Sequence, residues 1–279
     1  RLRSMNDKED TQTRDAGGFS AIILAAGKGT RMKSDLAKVL HPLCGAPMLT
    51  YPVAAAQAAG SEKIVVVIGH QAEQIREKFR DQGLIFVEQR ELLGTGHAVL
   101  QAAKAFRDYD GAIVILCGDV PLILPVTVKT LYERHRSARA AVTVLTTIPE
   151  EPAGYGRVVK AADGHVLKIV EERDATLDEK KIREINTGIY CVESGFLFTA
   201  VAALGNRNAQ KEYYLTDIIG IACKNGLRAT SFPASDPMEV MGINTPEELE
   251  RAGRRMATRD LKNTPVLSFP RKRESSVIR

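Results

Sequence analysis

The sequence predicts a doubly wound α/β fold with a mostly parallel, mixed sheet and a second, smaller lobe. Short apolar runs rich in Ile and Val (SAIIL, IVVVI, AIVIL) show no polar alternation, the mark of strands covered on both faces. Helical patterns separate these runs, and strand–helix alternation is the grammar of parallel β-α units. The 279 residues are enough for one such domain with a sizeable core.

The elements follow in order. Ser20–Leu24 is the first strand and runs into the Gly-rich stretch Ala25–Arg31. An Ala-rich helix is expected at Pro47–Ala59, stopped by Gly60. Ile64–Ile68 is a buried strand, Gln71–Arg80 a charged amphipathic helix and Leu84–Val87 the next strand. The loop LLGTG leads into a helix at His97–Phe106, and strand Ala112–Leu116 ends at Cys117-Gly118-Asp119. Past Leu124, a helix at Pro125–Arg136 precedes the strand Ala141–Thr147. GYGRVV and VLKIVEE flank an Asp163-Gly164 turn, which signals a hairpin. A charged helix near Leu177–Arg183, the strand Ile185–Val192 and a helix from Ser194 come next. Glu212–Lys224 reads as helical, and MGIN with Thr245–Ala257 as the last strand-to-helix step. The expected organisation is one domain over residues 19–260, with lobes at about 19–124 and 125–260. It lies between an extension at 1–18 and a basic tail at 261–279, both expected to be disordered.

Composition narrows the function. The chain is 44% hydrophobic, too apolar for a disordered protein. No apolar run reaches the roughly 18 residues that cross a bilayer, so no membrane span is expected. The first 18 residues are polar and lack the apolar core of a secretory signal. The charge of +5 is unevenly placed: residues 251–279 carry a net +7, whereas residues 19–250 carry 26 basic and 28 acidic groups. The basic excess belongs to the tail, and nucleic-acid binding is discounted. Cys44, Cys117, Cys191 and Cys223 form no CxxC pair, and His41 with Cys44 alone makes a poor zinc site. Reduced thiols and no export signal place the protein in the cytoplasm.

The segment Leu24-Ala25-Ala26-Gly27-Lys28-Gly29-Thr30-Arg31-Met32 directly follows the first strand. A strand, a glycine loop and a helical turn aim backbone N–H groups at phosphate oxygens. A Walker A loop is excluded because Ile22 stands where it needs glycine, and GxGxxG because Met32 does. Arg31, and Lys38 one loop further, add cations suited to a polyphosphate; alternatively the loop is a tight turn flanked by solvated bases. Gly118-Asp119 ends a strand, where open α/β sheets bind ligands. A carboxylate there suits Mg²⁺, which takes one or two protein oxygens; the alternative is a helix N-cap. Gly94-Thr95-Gly96, Gly156, Glu171, Asn186 and Asn244 each stand at a strand end or turn and together argue for a site. Singly, Gly94 and Gly96 could only shape a turn and Glu171 could be a surface acid.

The motifs LAAGKGTRM, SDLAKVLH, LLGTGHA, GDVPL, GYGR, IVEE, EINTG, EYYLTDII and GIN occur in order from residue 20 to about 250. In this the chain resembles the uridylyltransferase domain of the bacterial bifunctional N-acetylglucosamine-1-phosphate uridylyltransferase/glucosamine-1-phosphate acetyltransferase family. The resemblance implies a Rossmann-like, GT-A-like nucleotidyltransferase with a sugar-binding lobe. It implies Mg²⁺-dependent transfer from UTP to N-acetylglucosamine 1-phosphate, giving UDP-N-acetylglucosamine for cell-wall precursor synthesis. The nucleotide would lie against Leu24, Ala25, Ala26, Gly27, Lys38, Cys117, Gly118 and Asp119, with Gln89, Gly94 and Thr95 reading uracil. Asp119 and Asn244 would hold Mg²⁺, while Gly156, Glu171, Asn186 and Asn244 grip the sugar phosphate. Arg31, Lys38 and Asp119 would be the catalytic set, with Arg31 facing the departing β- and γ-phosphates.

Such a reaction needs no general base, because a sugar phosphate is already an ionised nucleophile, so the lack of a Ser-His-Asp set is expected. Bifunctional members continue into a β-helix of hexapeptide repeats; none occurs here, so acetyl transfer is not expected. A transferase for dTTP and glucose 1-phosphate shares the first loop and the acidic residue. GTGHA, Glu171 and Asn186 favour the uridine and N-acetylglucosamine reading. A molybdenum-cofactor nucleotidyltransferase usually carries an LAGGxSxRMG-like loop instead, and a non-catalytic sensor would lack Arg31, Lys38 or Asp119.

Overall fold

The computed structural model describes residues 18–260; the expected N-terminal extension, but for Gly18, and the expected basic tail lie outside the described residues. The strands are β1 (Phe19–Ala25), β2 (Pro42–Leu43), β3 (Ala46–Pro47), β4 (Ser61–Ile68), β5 (Ile85–Glu88), β6 (Ala112–Cys117), β7 (Val142–Thr147), β8 (Arg157–Lys160), β9 (Val166–Val170), β10 (Ile185–Glu193) and β11 (Ala229–Pro233). The helices are α1 (Thr50–Ala58), α2 (Ala72–Lys78), α3 (Thr95–Gln101), α4 (Pro125–Ala138), α5 (Ser194–Ala202), α6 (Ile218–Lys224), α7 (Pro237–Val240) and α8 (Pro246–Asp260).

One sheet path runs β11-β7-β10-β6-β1-β4-β5. β1 pairs in parallel with β4 on one side and β6 on the other, and β4 pairs in parallel with β5. β10 is antiparallel to both β6 and β7, and β11 is parallel to β7. The mostly parallel, mixed sheet follows the sequence prediction. Because strand side chains alternate, each central strand feeds two cores. Ile22, Val65, Ile113 and Ile115 pack toward α3, α5 and α6. Ile23, Val66, Val114 and Leu116 pack toward α1, α2 and α4. That double coverage is why these strands read as unbroken apolar runs. A third cluster, of Leu43, Met48, Tyr51, Leu122, Ile243 and Ala252, seats α8.

The chain leaves β1 for β4 and β5 on one side, then crosses back to lay β6 on the other. The carboxyl ends of β1 and β6 therefore form a topological switch point, where open sheets bind ligands. There Leu24 is in register with Cys117, and Gly118 N–H donates to Leu24 O at 2.8 Å.

Several expected elements differ. The helix expected from Pro47 begins at Thr50, because Ala46 and Pro47 close a small hairpin with Pro42 and Leu43. The charged stretch at 177–183 forms only a 3₁₀ turn at Glu179–Lys181, having no apolar face to bury. Residues 212–214 are not helical; a 3₁₀ turn at Leu215–Asp217 leads into α6. MGIN is not a ladder strand, although Ile243 N–H donates to Asp119 O at 2.8 Å. The strand in this region is β11, an edge strand ending in Pro233, which the sequence reading missed. The hairpin at Asp163-Gly164 forms as expected between β8 and β9.

Candidate active site

The glycine loop begins where β1 ends. Gly29 sits in the left-handed region (φ 66°) and opens the 3₁₀ turn Thr30–Met32. A methyl group on Gly29 would lie 2.5 Å from Lys38 Cβ, so glycine lets the loop press against the residue that carries the second cation. At Gly27 a side chain would meet nothing within 4 Å, so the loop faces open space there. Ala26 O accepts from His70 N at 3.3 Å, which ties the loop to the end of β4.

Four side chains predicted from distant parts of the chain meet beside this loop. Lys38 Nζ forms an ion pair with Asp119 Oδ2 and also donates to Asn244 Oδ1 at 3.1 Å. Arg31 Nη2 donates to the same Asn244 oxygen at 2.8 Å. Asn244 Nδ2 donates to Gly242 O at 3.2 Å, which turns the amide oxygen toward the two cations. Lys38 is thus largely enclosed by this network, while Arg31 stays exposed and is tied to it through Asn244. Asp119 is not a helix cap either: α4 starts at Pro125 after Leu124, whose N–H donates to Glu239 Oε1 at 3.0 Å.

Gln89 follows β5 and is only 3% exposed. Its N–H donates to Ile68 O, and its Nε2 reaches Gly94 O and His97 Nδ1, both at 3.0 Å. Gly94 has φ 106°, and a side chain there would come within 2.7 Å of Tyr213 O. Gly96 N–H donates to Tyr213 O at 2.8 Å, and the Thr95 hydroxyl accepts from Leu215 N at 3.1 Å. The loop before α3 is therefore clamped onto the EYYLTD segment. Gly94 and Gly96 do shape a turn, one held against a second segment.

A second group gathers at β8, β9 and β10. Asn186 N–H donates to Gly156 O at 2.8 Å. Asn186 Oδ1 accepts from Gly188 N and Tyr190 OH, each at 2.9 Å. Glu171 Oε1 accepts from the Thr216 hydroxyl at 3.1 Å, and its other oxygen would lie 3.3 Å from a side chain at Gly156. Burial raises the Glu171 pKa above the ordinary carboxylate range, reinforced by Asp217, Asp174 and Glu212, and outweighs the Thr216 bond. Glu171 is no solvated surface acid. Cys117 Sγ, at the end of β6, donates to Gly188 O at 3.4 Å and so links the two groups. Burial, then the Asp119 carboxylate, pushes the Cys117 thiol pKa up, which keeps it protonated and inert at neutral pH.

The arrangement offers an open loop, Lys38 between Asp119 and Asn244 with Arg31 on the same amide oxygen, and a second polar group joined to it through Cys117. Sequence comparison names what carries it. Residues 21–184 match the MobA-like NTP transferase domain. This chain belongs to that family.

Bifunctional protein GlmU from Geotalea daltonii is 57% identical to this NTP transferase over 236 residues, 84% of this chain and 52% of that protein. The protein of the same name from Geobacter metallireducens is 56% identical over 239 residues, 85% of this chain and 50% of its own length. That from Pelotomaculum thermopropionicum is 51% identical over 252 residues, 89% of this chain and 55% of its own length. The chain spans about half the length of the curated relatives it matches. The resemblance drawn from the motifs is borne out: the chain is a nucleotidyltransferase with GlmU relatives.

In this NTP transferase, the sequence reading left three structural supports unassigned. Gly29, not Gly27, makes the close approach to Lys38. Arg157, 2% exposed, donates to Tyr155 O and pairs with Glu172 Oε2 at 2.9 Å, fixing the turn that carries Gly156. Glu248 bonds the main chain at Asn244. Only the last had a local signal, the T-P-E-E capping pattern at 245–248. Among the described residues, no helix is long and apolar enough to cross a membrane. Among them, too, no cluster of three or more His, Cys, Asp or Glu stands ready for a metal.

Proposed function

We propose that the chain transfers the uridylyl group of UTP to N-acetylglucosamine 1-phosphate, releasing pyrophosphate. The product, UDP-N-acetylglucosamine, would supply peptidoglycan and lipopolysaccharide synthesis in the cytoplasm. The observation that carries this reading is Lys38 bridging Asp119 and Asn244 at the switch point, with Arg31 on the same Asn244 oxygen.

The donor set fits Mg²⁺. Asp119 and Asn244 turn two hard oxygens toward one position, where the Lys38 ammonium now supplies the positive charge. Mg²⁺ favours such a set, with one or two protein oxygens and the rest from phosphates and water. Bound there, it would neutralise charge on the reacting phosphates. The remaining work falls to the chain. The acceptor's phosphate is ionised at neutral pH, so catalysis is in-line positioning plus charge neutralisation. Lys38 would hold the nucleotide phosphates and Arg31 the departing β- and γ-phosphates. Leu24, Ala25, Ala26, Gly27, Cys117 and Gly118 would form the nucleotide wall. Gly94 and Thr95 would flank the base. Gln89 commits its Nε2 to Gly94 O, which leaves its oxygen to offer, and an N–H such as that of uracil N3 complements it. Asn186 has its oxygen committed and would offer Nδ2 to the sugar; Glu171 would accept from a sugar hydroxyl beside Gly156, where a side chain would crowd its Oε2.

Pyrophosphate release with Mg²⁺ tests the reading, with UTP, dTTP, CTP and GTP each paired with N-acetylglucosamine 1-phosphate or glucose 1-phosphate. Release confined to UTP with the N-acetylated sugar is expected. Release with dTTP and glucose 1-phosphate instead would overturn the substrate assignment. No release with any pair, from folded protein, would overturn the catalytic one.

A further inference from the structure

Asn244 is held by a carboxylate that the proposed chemistry does not use. Glu248 Oε2 accepts the Asn244 N–H at 2.6 Å and the Thr245 N–H at 3.2 Å. In return the Glu248 N–H donates to Thr245 Oγ1 at 3.2 Å, with Pro246 as the first residue of α8. Thr245 and Glu248 thus form a capping box, in which the acid ordinarily reaches back to the cap residue alone. Here it also grips the residue before the cap, the one whose side-chain oxygen faces Lys38 and Arg31.

We propose that Glu248 is a positioning residue: its carboxylate fixes the Asn244 main chain so that Oδ1 stays aimed at the cation position shared with Asp119. The inference rests on the proposed metal-dependent transfer and deepens it. An amide oxygen is neutral and attracts a cation weakly, so its placement must be enforced by its surroundings. Mg²⁺ demands near-octahedral oxygens at about 2.0–2.1 Å, and groups that orient ligands are commonly worth about 10–100-fold in metal affinity. The other restraints cannot replace Glu248. The bond from Asn244 Nδ2 to Gly242 O sets which end of the amide faces the cations, and Ile243 N–H to Asp119 O sets the spacing of the two segments. Neither fixes the main chain of Asn244 against α8.

Mn²⁺ binding by the full chain at fixed UTP, followed by electron paramagnetic resonance with the UTP–Mn²⁺ background subtracted, tests this. Glu248→Ala is expected to weaken Mn²⁺ binding about 10-fold or more, and Glu248→Gln, which keeps an acceptor oxygen, to stay within about threefold of wild type. Thr245→Ala removes the other half of the capping box but leaves the grip on Asn244, so it should lower stability without weakening Mn²⁺ binding. If Glu248→Ala and Thr245→Ala leave Mn²⁺ affinity equally unchanged, Glu248 is a helix cap only and the proposal is overturned. Should Glu248→Ala fail to fold, Glu248→Asp shortens the reach to Asn244; weakened binding supports the proposal and unchanged binding overturns it. A wild type without any Mn²⁺ site that Asp119→Asn removes would instead bring down the proposed function, and this inference with it.

Discussion

Replacing Gly29 with alanine should damage the site through Lys38. Two costs follow from the structure. The backbone at Gly29 has φ 66° and ψ 39°, a left-handed conformation that costs an L residue roughly 1–2 kcal/mol. The added methyl would lie 2.5 Å from Lys38 Cβ and 3.3 Å from Lys38 Cγ, where ordinary contact begins near 3.4 Å. The obstructing atoms sit next to the main chain, so relief needs a displacement of about 1 Å, which at a reacting site costs on the order of 10²-fold. Because Lys38 bridges Asp119 and Asn244, the displacement pulls on both oxygens. Gly29→Ala is therefore expected to lose about 1–3 kcal/mol of stability in urea and roughly 10²-fold in pyrophosphate release. Gly27→Ala meets no atom within 4 Å and is the stability control, expected within about 0.5 kcal/mol of wild type. A Gly29→Ala protein with normal turnover and an unchanged urea midpoint would refute this account of the loop.

Other consequences can be measured alongside. Asp119→Asn removes the carboxylate that pairs with Lys38, and turnover in the pyrophosphate assay should fall about 10²–10³-fold while the fold persists. Glu171 has a raised folded-state pKa, so the folded chain binds more protons than the unfolded one between the two values, and stability falls as pH rises through that window. Glu171→Gln should accordingly raise Tm at pH 8 and lose that advantage near pH 4; equal gains at both would refute the burial argument. Glu172→Ala leaves the buried Arg157 guanidinium without its carboxylate, with an expected loss of about 1–3 kcal/mol in urea unfolding after allowing for the partial exposure of Glu172. Ile115→Ala in the sheet centre should cost about 2–5 kcal/mol by the same measurement.

Local chemistry made the strand set readable. β1, β4 and β6 are buried on both faces, so their apolar runs needed no knowledge of neighbours. β11 escaped because Ala229–Pro233 is short, carries polar residues on an edge and gains its regularity only by pairing with β7. The 179–181 segment misled in the opposite sense: charged residues with good helix propensity stop after one turn when no apolar face is there to bury.

By itself the sequence determined the alternating elements, the glycine loop after the first strand and the acid at the end of the β6 run. It also supplied the residue types that meet in the candidate site. Tertiary structure alone decided that they meet. Lys38 and Asp119 lie 81 residues apart, Arg31 and Asn244 lie 213 apart, and no periodicity reports contacts over such distances. They converge because the chain crosses back after β5 to lay β6 beside β1, and because Ile243 bonds the Asp119 main chain while α8 packs on its own apolar cluster. Tertiary structure likewise decided the environment of Glu171: it stands where β9 gives way to a turn, and its raised pKa comes first from burial and then from Asp217 and Glu212, more than 40 residues away, as well as the nearby Asp174.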